Sequence, residues 1–154
     1  MDLEDLIGPD DIFVSARSNC KKQVLQDLSE EASRKTGIPS REIFETLLER
    51  ERLGSTGVGY GIAIPHGKLK TLDKIVGMAA ILDKPIEFDA LDDQPVDVVF
   101  LLLAPEDAGA EHLKALARVA RVLREPGLLS QLREAESGST AHKLMTRAQA
   151  PHAA

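Results

Sequence analysis

Two nearly continuous apolar runs, IVGMAAIL at 75–82 and VDVVFLLL at 96–103, limit what this chain can fold into more than any other feature. A strand with one wet face alternates apolar and polar residues, whereas an unbroken run belongs to a strand covered on both faces. The longest purely apolar stretch, 98–104, is far too short to span a bilayer. Both runs are therefore read as central strands of a sheet that needs helices above and below it.

Candidate helices are present on either side. Cys20, Val24, Leu28 and Ala32 recur every four residues, with Leu25 beside them, and Gly37 and Pro39 close that helix. Its stripe predicts Cys20 to be a buried structural thiol. Ser40 is expected to cap a second helix with Ile43, Phe44, Leu47 and Leu48 inward, ending near Leu53-Gly54. A third helix, about Glu111 to Arg124, is given Leu113, Leu116, Ala117, Ala120 and Leu123 as its apolar face. Lys114, Arg118 and Arg121 form its wet face. Pro126 suits the first turn of a short fourth helix holding Leu128, Leu129 and Leu132. A last helix is predicted over 140–146.

Ile12-Phe13-Val14 reads as a short strand, Ile86-Glu87-Phe88 as a weaker edge strand, and DDQP at 92–95 as a turn. Helices before, between and after buried strands imply a layered α/β domain. No linker or repeat divides residues 1–154, so they are read as one domain with a core over about 5–146. The tail 147–154, RAQAPHAA, carries no core pattern and is expected to fray.

Charge and composition narrow the function. The chain has 19 Lys plus Arg against 25 Asp plus Glu, a net charge of −6. That balance offers no general attraction to phosphate backbones or anionic lipid, so no nucleic-acid partner is expected. A single cysteine excludes an internal disulfide framework and any multi-cysteine zinc site. The acidic start MDLEDLIGPD lacks the basic and apolar regions of a secretion signal, and a soluble cytoplasmic protein is expected. Four Phe, one Tyr and no Trp leave little material for base-stacking or aromatic sugar sites.

The Gly-rich stretch 54–67, GSTGVGYGIAIPHG, invites a nucleotide-loop reading and fails it. A P-loop has four residues between its first Gly and the Gly-Lys pair. Here five separate Gly61 from Gly67, and Leu69 stands where Ser or Thr would bind magnesium. The G-x-G-x-x-G order of dinucleotide loops is absent as well. His66 is the sharper candidate. Pro65 favours an extended Ile64 and a strand end, and Gly67 would leave the imidazole accessible. Such a histidine is either a presented nucleophile or a turn residue without chemistry.

His112 falls in the first turn of the third helix, on a flank shared with positions 116, 119 and 123. It is either a satisfied buried histidine or a neutral one beside helix-terminal N–H groups that favour a phosphate. Arg50 is suited to phosphate oxygens, yet in the run Glu49-Arg50-Glu51-Arg52 it also reads as a solvated charge. His142 and His152 have no nearby chemical partners and read as surface histidines. No H-E-x-x-H pattern supplies His66 and His112 with a third zinc ligand.

Residues 49–69, ERERLGSTGVGYGIAIPHGKL, together with EHLKAL at 111–116, resemble the type-2 enzyme IIA domains of the bacterial phosphotransferase system. The resemblance extends over roughly 5–146. GIAIPHGKL preceded by GSTG is most similar to the nitrogen-regulatory branch rather than the mannitol or fructose branches. The resemblance implies a three-layer α/β/α sandwich with a mixed central sheet and helices on both faces. It implies that His66 accepts a phosphoryl group at Nε2, that His112 is the second active-site histidine, and that the phosphate-stabilising arginine is Arg50 rather than Arg52. It further implies an HPr-like phosphocarrier of the nitrogen branch as donor, regulatory targets such as potassium-transport or sensor-kinase components, and no nucleotide or metal cofactor. Tyr60 departs from the pattern, because mannitol-type relatives carry an acid there. A sugar-transport IIA passing phosphate to a IIB domain, and a binding module without phosphotransfer, are the competing functions.

Overall fold

The structure, a computed structural model, describes residues 2–148. The two apolar runs form the antiparallel pair β5 (Val76–Ile86) and β6 (Val96–Pro105), in register from Val76↔Leu103 to Ile81↔Val98. Around them lie β1 (Ile12–Ala16), β2 (Gly57–Gly59), β3 (Ile62–Ala63) and β4 (His66–Leu69), in the order β1-β5-β6-β3-β2, with β4 also paired to β6. The β1 strand runs parallel to β5, and both β3 and β4 run parallel to β6, while β2 and β3 are an antiparallel hairpin. The sheet is mixed, as expected.

Alternation along β5 and β6 builds two separate cores. Met78, Ala80, Val99, Leu101 and Leu103 face α2 (Lys21–Thr36) and α3 (Ser40–Leu53). Ala79, Ile81, Val98, Phe100 and Leu102 face α4 (Ala110–Leu123), α5 (Leu128–Glu134) and α6 (Gly138–Ala148), joined by α1 (Leu3–Leu6). This is the three-layer α/β/α arrangement, helices on both faces. Gly37 closes α2 with φ +80°, a left-handed conformation that suits glycine. No helix among the described residues is long and apolar enough to cross a membrane.

Several local expectations are corrected. Residues 86–88 are not a separate edge strand: β5 itself runs to Ile86 after a register shift, and Phe88 is fully buried against the α2–α3 side. Cys20 is exposed, because it occupies the extended position before α2 (φ −156°, ψ 165°), where the helical stripe no longer dictates its direction. Ser40 does not cap α3; Pro39 stands in the cap position and Ser40 is already helical. The inward face of α4 consists of His112, Ala115, Val119, Val122 and Leu123, leaving Leu113 69% exposed and Ala117 outside. Ala115, Val119 and Leu123 bury the same flank as His112, and Leu113 falls off that flank. Pro126 lies in the turn before α5, whose cap is Gly127. The α6 helix includes Arg147 and reaches Ala148, so the start of the tail is helical; 149–154 lie outside the described residues.

Candidate active site

The interruption between β3 and β4 creates the site. Both strands follow the same edge of β6, from Ile62↔Val98 to Leu69↔Pro105, yet Ile64 and Pro65 break the ladder. Pro65 has no N–H to give, though its carbonyl accepts from Leu102 N–H at 2.9 Å. Ile64 turns away, donating its N–H to the Thr56 carbonyl at 3.0 Å. The expected strand end at Pro65 is thus a pause, and His66 opens the strand that resumes.

His66 pairs with Leu102, whose side chain belongs to the α4 side of the sheet, while Gly67 faces α3. A Cβ at Gly67 would come within 2.7 Å of Thr46 Cγ2. Glycine here serves the close approach of α3, beyond the accessibility expected of it. That approach brings Arg50, four residues further along α3, to the imidazole.

Three hydrogen bonds fix the pair. His66 Nδ1 donates to the Ile64 carbonyl at 2.9 Å; a carbonyl only accepts, so Nδ1 carries the proton. Nε2 then keeps its lone pair and accepts from Arg50 Nε–H at 3.2 Å. Arg50 Nη1 donates to the Gly54 carbonyl at 2.9 Å. Burial holds the His66 pKa below the ordinary histidine value and the Arg50 charge adds to this, whereas the Ile64 carbonyl and the Glu51 charge oppose it. A neutral imidazole near pH 7 follows, with Nε2 as its nucleophilic atom.

His112 approaches from the opposite side. Its ring stands edge-on to that of His66, with centroids 5.4 Å apart and planes at 77°. The residue is 6% exposed, and its Nε2 is a buried polar atom without a hydrogen-bond partner among the described residues. Such atoms are rare and costly in native proteins, about 1–3 kcal/mol each, unless a ligand or water completes them. Burial, His66 and Lys68 all lower its pKa. The first turn of α4 is less open than the sequence suggested: Glu111 and His112 N–H already donate to the Ala108 and Gly109 carbonyls, at 3.1 and 3.2 Å.

The structure thus brings His66, His112 and Arg50 together and leaves Arg52 exposed. His142 is not a free surface residue, since its Nε2 donates to the Ile7 carbonyl at 3.0 Å; His152 lies outside the described residues. Tyr60 is exposed, with the Arg124 guanidinium 5.0 Å from its ring centroid. Among the described residues, no three His, Cys, Asp or Glu side chains are grouped to hold a metal ion. Sequence reasoning missed Glu51, whose carboxylate is buried against Lys21 and Thr56. Its inward position on α3, four residues beyond Leu47, was the available signal, hidden by the charged run around it.

Residues 5–148 match the family described as "Phosphoenolpyruvate-dependent sugar phosphotransferase system, EIIA 2". A "Nitrogen regulatory protein" of Bradyrhizobium diazoefficiens is 52% identical over 145 residues, covering 94% of this chain and 95% of that one. One of the same name from Escherichia coli is 44% identical over 135 residues, covering 85% and 82%. Among solved structures, "Nitrogen Regulatory Protein IIA-Ntr from Neisseria meningitidis" superposes with a TM-score of 0.88 at 30% identity, covering 94% of this chain and 99% of that chain. The family seen in the 49–69 and 111–116 motifs therefore extends over nearly the whole sequence, and the chain belongs to the EIIA 2 family of the phosphoenolpyruvate-dependent phosphotransferase system.

Proposed function

We propose that this chain is a nitrogen-regulatory enzyme IIA that accepts a phosphoryl group on His66 Nε2 from a phosphohistidine carrier and signals through its phosphorylation state. One observation carries the reading. The Nδ1–H bond to the Ile64 carbonyl leaves Nε2, the atom beside Arg50, with the free electron pair.

In the transfer, that pair forms the new N–P bond while the donor's N–P bond breaks and returns its electrons to the donor imidazole. The His66 Nδ1 proton stays in place, its carbonyl partner stabilising the positive charge that grows on the ring. Arg50 exchanges its bond to Nε2 for bonds to the phosphoryl oxygens, for which its planar fork is suited. His112, neutral and in its Nε2–H tautomer, donates to the same group. Positioning and charge neutralisation supply most of the catalysis in such a step.

The surroundings suit a protein donor. Leu53, 85% exposed, ends the helix carrying Arg50, and Leu113, 69% exposed, follows His112. Exposed leucines beside the site suit a protein docking surface.

Incubation with phosphoenolpyruvate, enzyme I and the carrier, followed by mass spectrometry, tests the proposal. One acid-labile phosphoryl group is expected on His66, and His66→Ala should abolish it with the fold intact. Undiminished labelling of that variant defeats the assignment. Onward transfer to a IIB domain would instead favour the sugar-transport reading.

A further inference from the structure

We infer that Glu51 is a positioning residue: a buried carboxylate that holds the 54–56 loop so that its two carbonyls set the pose of Arg50 and the tautomer of His66. The inference rests on the phosphoryl-acceptor reading of His66, and the bond sequence behind it is specific.

The Glu51 side chain is 3% exposed and sits on the last turn of α3. Its Oε2 lies 2.7 Å from Lys21 Nζ at the start of α2. Its Oε1 accepts from Thr56 N–H at 3.1 Å and also from the Thr56 hydroxyl. Lys21 is in turn 4.9 Å from the centroid of the buried Phe88 ring. Ser55 donates to the Phe88 carbonyl at 2.8 Å. One carboxylate therefore joins the ends of two helices to the loop that precedes β2.

From that loop, two routes reach the imidazole. The Gly54 carbonyl accepts from Arg50 Nη1, which directs Nε toward His66 Nε2. The Thr56 carbonyl accepts from Ile64 N–H, and the Ile64 carbonyl accepts from His66 Nδ1. Displacement of the loop would loosen both nitrogens of the ring at once. A purely structural ion pair has no reason to lie at the origin of both routes. Glu51 is also a negative charge near a ring otherwise faced by Arg50 from α3 and, edge-on, by His112 from α4, and its charge opposes the lowering of the His66 pKa.

The test uses the full, unphosphorylated chain with 15N-labelled histidine, and reads the His66 tautomer by NMR alongside the rate of phosphoryl acceptance from the carrier. Glu51→Gln keeps the shape and removes the charge. It should raise the Nε2–H tautomer of His66 to about a tenth or more and slow acceptance about tenfold, the scale of one lost hydrogen bond to a charged group. Thr56→Val keeps the backbone donor, loses the hydroxyl, and should move both readouts in the same direction by less; Thr56→Ser should restore them. Wild-type tautomer and rate in Glu51→Gln overturn the inference, and if that variant does not fold, the same result in Thr56→Val does so. The tautomer requires no donor protein. A tautomer change in a chain whose His66 never accepts phosphate would defeat the functional reading alone, whereas a phosphorylated His66 with unchanged tautomers would defeat the positioning role alone.

Discussion

The two sides of the site are built differently. On the α3 side both ring nitrogens of His66 have partners, Nδ1 with the Ile64 carbonyl and Nε2 with Arg50 Nε–H, and Arg50 Nη1 is held by the Gly54 carbonyl. On the α4 side His112 brings a buried Nε2 that has no partner among the described residues. A satisfied arrangement fixes one geometry and resists change; an unsatisfied one gains most when a partner arrives. In the proposed transfer, the contrast gives preorganisation to the α3 side and capture of the phosphoryl group to the α4 side.

The largest expected effect comes from breaking the satisfied side. Arg50→Lys keeps the charge but cannot hold His66 and Gly54 at once from a single planar group. Phosphoryl transfer should fall about 100-fold, the equivalent of roughly 3 kcal/mol of lost charge-assisted hydrogen bonding. Rapid-quench kinetics with Arg52→Lys as a nearly silent control would check it. Equal rates in the two variants would return Arg50 to the solvated surface.

A smaller effect is expected from the open side, with no loss of stability in the resting protein. His112→Phe preserves most of the volume and removes the partnerless nitrogen. Urea unfolding should show no loss of stability in the unphosphorylated form, because a buried unsatisfied atom has been replaced by an apolar one. Transfer, however, should slow about tenfold, reflecting one hydrogen bond missing from the phosphoryl group. A variant that loses stability while transferring at the normal rate would make His112 an ordinary core residue and remove the contrast.

How much of this was legible in sequence follows the same division. The β5 and β6 runs declared themselves because a strand covered on both faces has a composition unlike any other element. His66 was legible through its Pro and Gly neighbours, although the physical role of Gly67, clearance for Thr46, depends on a helix packed from elsewhere. Arg50 and Arg52 are indistinguishable by residue type; the family resemblance favoured Arg50, and the rotation of α3 against the sheet is the physical reason, turning Arg50 to His66 and leaving Arg52 exposed. Glu51 was hidden for the same reason: a charge run reads as solvated until the inward face of its helix is known. The orientation of α4 is not read from its largest apolar residue: Leu113 is exposed, while Ala115 and Val119 share the buried flank with His112. The partnerless state of His112 cannot be read from sequence at all, since it is a property of everything around it.

The smallest effect reads both sides together through pH. Burial lowers the pKa of each histidine below the ordinary value; the Arg50 charge adds to this at His66, and His66 and Lys68 add to it at His112. In the unfolded chain both titrate near the ordinary value of about 6.5. As pH falls through that value the unfolded state takes up protons that the folded state still refuses, so the stability these neutral rings permit is present above about pH 6.5 and declines below it. Between pH 7 and about 5.5, before most carboxylates titrate, urea midpoints should therefore fall with falling pH. His112→Phe should flatten part of that slope, and combining it with His66→Asn should flatten more of it. If His112→Phe alone removed the entire slope, the neutral state of His66 would not be held by burial on the α3 side. If neither variant changed the slope, both rings would titrate as exposed histidines do, and the preorganised lone pair on Nε2 would lose its electrostatic basis.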